Sequence, residues 1–213
     1  MFYKNGVKMK EKELERLTQL KQIENKMHEE GIENICGIDE AGRGPLAGPV
    51  VIAAVIMPKD SMIEGVNDSK KVSEKKREKI YEQIIEEAIS YSVGIISSKE
   101  IDEINILNAT KKGLTEAIKG LEIKPNTILV DALTGIDTCG ISYTSIIKGD
   151  AKSYSIAAAS IIAKVTRDRM MRQWDEIYPQ YGFEKHKGYG TKMHYEAIKE
   201  NGMCPIHRRS FIH

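Results

Sequence analysis

Hydrophobic positions along this chain change their period several times, and each change marks an element. Between residues 8 and 30, Leu14, Leu17, Leu20, Ile23 and Met27 recur at helical spacing among charged residues, with Gly31 as a stop. The spacing predicts one amphipathic helix there. Then β-branched runs begin. Residues 35–39 read as a short strand and residues 49–56, PVVIAAVI, as a second. The second is apolar almost throughout, as a strand covered on both faces requires. A helix over 73–89 with Ser73 at its N-cap leads to a third strand, YSVGII, over 91–96. Residues 105–121 read as a helix interrupted by Gly113, TILVD over 127–131 as a fourth strand, and 143–147 as a fifth. A long helix is predicted over 151–178 and a short one over 194–201, which Gly202 ends. Strands that open with a hairpin-like pair and then alternate with helices predict an α/β domain, a mixed sheet with helices packed on it.

A length of 213 residues allows one domain with an appendage. The 41% hydrophobic and 30% charged content excludes disorder for the bulk of the chain. Cys36, Cys139 and Cys204 are widely spaced with no C-x-x-C, which excludes a disulfide framework and a zinc ribbon and suits a reducing cytosol. No apolar run reaches the roughly 18 residues of a spanning helix, and the N-terminus lacks the apolar region of a secretory signal. A cytoplasmic, monomeric protein without membrane contact is expected. The net charge is only +1, but basic residues bunch between 69 and 79, between 164 and 172, and between 185 and 213. A fold that joined these runs would attract polyphosphate; taken singly, each reads as a solvated face.

The densest chemistry lies in GIDEAGRGPLAGPV, residues 37–50. Asp39 and Glu40 sit side by side where an apolar strand ends, and neighbours in a regular strand point to opposite faces. Both can serve one site only if the chain turns immediately, a freedom that Gly42, Gly44 and Gly48 supply. Gly42-Arg43-Gly44 also begins the G-x-G of a dinucleotide fingerprint, but that fingerprint needs a helix directly after it. Pro45 and then PVVI follow instead, reading as turn and strand, which disfavours that class. Asp131 ends TILVD and Asp150 ends SIIKGD, both at strand termini, where α/β folds carry site residues. Asp150 also reads as the N-cap of the next helix and Asp131 as a turn-forming aspartate.

Four convergent carboxylates would repel and raise one another's pKa values, so something cationic must compensate. Oxygen ligands without organised His or Cys point to a hard cation, Mg²⁺ or Mn²⁺. Two such ions about 3.5–4 Å apart serve in-line phosphodiester hydrolysis. His186, His194 and His207 show no zinc spacing and are expected at phosphate or solvent.

These residues lie in stretches that closely resemble bacterial ribonuclease HII. The stretches are GIDEAGRGPLAGPVVIAAVI (37–56), NDSKKVSEKKRE (67–78), ILVDAL (128–133), SIIKGDAKSYSIAAASIIAKVTRDRMM (145–171), HKGYGTKMHYEAI (186–198) and PIHRRSF (205–211). The resemblance implies a ribonuclease H-like fold, a mixed β-sheet flanked by helices, with a helical C-terminal part. It makes residues 1–33 a helical appendage and residues 34–213 the catalytic domain. It also implies an endoribonuclease for RNA–DNA hybrids that nicks 5′ of ribonucleotides embedded in duplex DNA, leaving 3′-hydroxyl and 5′-phosphate ends. The family's acidic ligands fall on Asp39, Glu40, Asp131 and Asp150, and its substrate-reading residues on Gly42, Arg43, Gly44 and Tyr189. Lys70 and Arg167 are expected phosphate contacts, each with a plain surface reading beside it. Ser153, Ser155 and Ser160 read as satisfying helix carbonyls, with phosphate donation as the alternative. Ala157, Ala158, Ala159 and Ala163 would let their helix lie close to the sheet, and Trp174 reads as packing.

Overall fold

A computed structural model describes residues 3–4 and 7–212. The outer limits of the expected 1–33 and 34–213 segments, with His213 of the third basic run, therefore lie outside the described residues. Two-residue strands β1 (Tyr3–Lys4) and β2 (Val7–Lys8) pair antiparallel. Helices α1 (Glu11–Leu20) and α2 (Gln22–Glu29) follow. Where one helix is expected over 8–30 there are thus two, broken at Lys21. The buried Lys21 ammonium donates to the carbonyls of Lys59 and Ser61, which holds the break against the body of the domain.

Strands β3 (Ile35–Ala41) and β4 (Val50–Ile56) form the predicted hairpin, with β5 (Ser90–Ile96) antiparallel on the outer side of β4. On the other side of β3 come β6 (Thr127–Asp131) and β7 (Ser142–Ile146), both parallel. The order β5-β4-β3-β6-β7 is a mixed sheet, as the alternation of elements requires.

Alternation along β3 and β4 sorts the core into two layers. Ala41, Ala53 and Val55 face α3 (Glu74–Glu87) and α5 (Tyr154–Ile177). Cys36, Ile38, Ile52 and Ala54 face α4 (Ser98–Lys119). The small residues Ala157, Ala158, Ala159 and Ala163 of α5 are fully buried, and a Cβ placed on Gly37 would fall on the main chain of Ser155. That contact brings helix and sheet together at the strand that carries Asp39 and Glu40.

Helix starts depart from the pattern for local reasons. α4 begins seven residues early because Ser97 and Glu100 form a capping box, the serine oxygen accepting from the Glu100 N–H. A positive φ at Asn105 then kinks the helix where the hydrophobic period seemed to begin. α5 starts at Tyr154, capped by Ser153, so Asp150 is not its N-cap. The C-terminal part adds the short α6 (Phe183–His186) and α7 (Lys192–Asn201), the latter capped by Thr191.

Candidate active site

The parallel register of β3 and β6 pairs Ile38 with Val130. The next residues along, Asp39 and Asp131, therefore leave the sheet side by side on the α5 face. Asp150 lies in a single 3₁₀ turn, Gly149–Ala151, between β7 and α5. Asp131 ties that turn down by accepting the Gly149 N–H at 2.8 Å, so it joins the two segments and does not merely end a turn. Glu40 projects from the opposite face of β3, and the strand runs on to Ala41. The immediate turn expected after Glu40 comes one residue later, at Gly42 with φ +98°. Both acids still reach one cleft of about 220 Å³, because they stand at the end of the sheet.

The cleft is electrostatically loaded. Burial raises the Asp39 carboxyl well above the ordinary carboxylate range, and Glu40, Asp131 and Asp150 push it the same way. Burial also raises Glu40, which Arg43 pulls back through a 3.4 Å contact. Asp150 is raised by burial and then by Asp68 and Asp131. Burial disfavours charge on Lys70, but Asp39, Asp68 and Asp150 outweigh it and raise its pKa. Lys70 thus faces the acids as their countercharge. Asp68 is a fifth carboxylate that the sequence pattern does not single out; its side chain accepts from the Lys70 N–H, and its charge helps raise Asp150.

Gly42, Arg43 and Gly44 line the cleft with Tyr189, which is 45% exposed. A Cβ on Gly44 would stand 3.9 Å from the Tyr189 ring, so loop and ring face each other across a gap that a side chain would narrow.

Residues 36–213 match the model of the ribonuclease HII family. The chain belongs to the ribonuclease HII family. It is therefore an endonuclease of the ribonuclease H type, a phosphodiester hydrolase. It is 58% identical over 203 residues to ribonuclease HII of Clostridioides difficile, covering 94% of this chain and 78% of that protein. It is 57% identical over 201 residues to the Acetivibrio thermocellus enzyme, with the same coverages. Among solved structures, the ribonuclease H2 of Pyrococcus horikoshii superposes with a TM-score of 0.71 at 32% identity, covering 83% of this chain and 93% of that one. Bst-RNase HIII in complex with Mn²⁺ gives a TM-score of 0.62 at 20% identity over 82% of this chain and 65% of that one, a likeness of fold.

The structure corrects two expectations. Arg167 is buried, and its guanidinium donates to the carbonyls of Pro49, Lys187 and Ala47 at 2.9–3.0 Å. It lines the cleft from within and ties its loops together, so the plain surface reading is the one corrected. His186, His194 and His207 are likewise buried and not at solvent: His186 and His194 stack on each other, and Tyr181 and Phe183 meet the cluster edge-on. Ser160 donates to the Ala157 carbonyl as read, but Ser153 donates to the buried Glu24 carboxylate, not to a helix carbonyl, and caps α5. Trp174 packs half-buried against Tyr178. No described helix is long and apolar enough to cross a membrane.

Proposed function

We propose that Asp39, Glu40, Asp131 and Asp150 hold divalent cations, Mg²⁺ or Mn²⁺ in a two-ion site, at the scissile phosphate of an RNA strand paired with DNA. The observation that carries this reading is the convergence of carboxylates from three segments: β3 and β6 end side by side, and Asp131 ties down the turn that holds Asp150. Buried like charges persist only if cations compensate, and Lys70 with Arg43 brings two charges against four. The donors are all oxygen, which suits a hard ion. Among the described residues no three His, Cys, Asp or Glu side chains close into a ready metal cage, so the acids would have to draw together on the ions. When bound, such ions activate water and offset charge on the leaving oxygen.

The chain's own residues do the rest. Gly42-Arg43-Gly44 brings main chain close to the sugar beside the cut, where RNA and DNA differ by the 2′-hydroxyl. Tyr189 faces it with a hydroxyl for that group and a ring face for the next sugar, a packing best suited to deoxyribose. This supports cutting on the 5′ side of a ribonucleotide at an RNA–DNA junction, with 3′-hydroxyl and 5′-phosphate products. The test uses labelled long hybrids and duplexes with a single ribonucleotide, in Mg²⁺, Mn²⁺ or EDTA. EDTA should abolish cutting. Asp39→Asn and Asp131→Asn should lose most of kcat while fold and substrate binding persist. Near-parental cutting by Asp39→Asn under Mg²⁺ would sink the metal assignment.

A further inference from the structure

Arg208 is fully buried, yet its guanidinium meets loop carbonyls and no acid. It donates to Gly48 O at 2.9 Å, to Arg43 O at 2.9 Å and to Gly42 O at 2.6 Å. Asp102, the nearest acidic influence, is taken up by the N–H groups of Arg209 and Ser210 and by the Ser210 hydroxyl. A buried cation is tolerated only where its donors are met, and this fork fixes three carbonyls of one loop at once. A trans peptide holds its C=O and N–H on opposite edges. With the carbonyls of Gly42 and Arg43 turned inward, the N–H groups of Arg43 and Gly44 turn away from Arg208. Among the described residues neither meets an acceptor.

His207 acts on the opposite wall. Its Nδ1 accepts from the Cys204 N–H at 2.9 Å, so its proton is on Nε2, which donates to His194 Nε2 at 3.0 Å. His194 then carries its proton on Nδ1 and donates to the Tyr189 carbonyl at 3.0 Å. The main chain joins the same parts: Arg208 N–H donates to Leu46 O, and Leu46 N–H to Gly188 O.

We propose that the dipeptide His207–Arg208 is a positioning element for substrate selection. Arg208 aims the Arg43 and Gly44 amides at the sugar beside the cut, and His207, through His194, sets the main chain of Tyr189. The inference rests on the reading that the 42–44 loop tests the 2′-hydroxyl.

Arg208→Lys keeps the charge and loses the fork. It should lower kcat/KM on the ribonucleotide duplex by about tenfold or more, with kcat down and KM up, because the contact is already made in the bound ground state and kept in the transition state. In the uncleaving Asp131→Asn background it should bring the ratio of affinities for ribonucleotide and all-DNA duplexes close to one. A merely structural arginine would lower Tm and leave that ratio intact in the folded protein, and a folded Arg208→Lys protein with parental kcat and ratio overturns the proposal. The His207 arm decides independently if Arg208→Lys does not fold. His207→Leu should blur the junction preference as Tyr189→Ala does, and adding it to Tyr189→Ala should do nothing more. His207→Gln, whose amide N–H can replace the Nε2 proton, should keep the preference. A folded His207→Leu protein with full junction preference also overturns the proposal. Amide exchange separates this from the underlying reading. In Asp131→Asn protein, a ribonucleotide duplex should slow exchange at Arg43 and Gly44 where an all-DNA duplex does not. Without that slowing the 2′-hydroxyl reading fails; with it, a negative result for Arg208→Lys condemns the proposal alone.

Discussion

At the scale of single residues, the candidate site divides by how each side chain announces itself. Tyr189 sits between Gly188 and Gly190, half-exposed and facing Gly44, so its hydroxyl and ring can be separated by substitution. Tyr189→Phe should cost about 0.5–1.5 kcal/mol in kcat/KM, the worth of one hydrogen bond. Tyr189→Ala should cost far more and blur the junction preference in single-ribonucleotide duplexes, with Tm nearly unchanged. An alanine variant that unfolds, or that keeps its full preference, would return the ring to a packing role. Asp39, Glu40 and Asp131 were legible because an apolar run stops at each carboxylate, a position a site or a turn explains, whereas Asp150 comes after Lys148 and Gly149, in a turn four residues past β7. Asp68 and Arg208 were not. Asp68 lies in a loop with no strand to point it. Arg208 in a basic C-terminal run looks like any solvated arginine, since burial depends on what the rest of the fold lays over it. Arg167 is hidden for the same reason: its charge gives no sign that it lies buried at the cleft with three carbonyls on its donors.

At the scale of elements, hydrophobic periodicity located the sheet and placed helix ends poorly, because ends are set by single polar contacts. Ser97 and Glu100 extend α4 forward, and Ser153 caps α5 three residues beyond Asp150. The C-terminal helices show the same limit: three histidines that read as solvent-facing form the packing between α6, α7 and the 204–208 segment. That packing predicts a pH dependence. Burial lowers all three pKa values, that of His194 from 6.5 to about 4, with the neighbouring histidines adding to it and the Tyr189 carbonyl opposing. The hydrogen bonds require each ring to be neutral, since a second proton on His194 would point at the His207 Nε2–H. Between those two values the unfolded chain binds protons that the folded one refuses, so stability is whole above about pH 6.5 and is lost as pH falls toward 4. Calorimetry should show Tm falling through that window, with the His194 ring resonances still those of a neutral imidazole near pH 5.5. A His194 that titrates at its ordinary value would contradict the packing.

At the scale of the whole molecule, the near-zero net charge conceals an arrangement that composition could not show. The fold does bring two basic runs together, along α3 and α5, but it threads acids between them. Arg169 pairs with Glu78, Arg172 with Glu74 and Glu78, and Arg77 and Lys164 with Asp168. The expected polyphosphate face is therefore largely neutralised from within, and few cations face the cleft unpaired. Lys70 is the clearest, standing among acids that a divalent cation would otherwise balance. Phosphate contact has its own signature, because released counterions make log affinity fall with log salt by about 0.9 per phosphate on B-form DNA. Lys70→Ala should make that slope shallower by about one contact. Arg169→Ala should leave the slope alone and change stability by about 0.2–1 kcal/mol, as an exposed ion pair does. Arg167→Met should also spare the slope but lower Tm sharply, since three buried carbonyls lose their donors. The measurement is a salt titration of duplex binding by the four proteins at matched pH with EDTA present, so that competing metal does not enter. If Arg169→Ala flattens the slope as much as Lys70→Ala, the acids threaded between the helices do not neutralise that face, and the two helices themselves grip the nucleic acid.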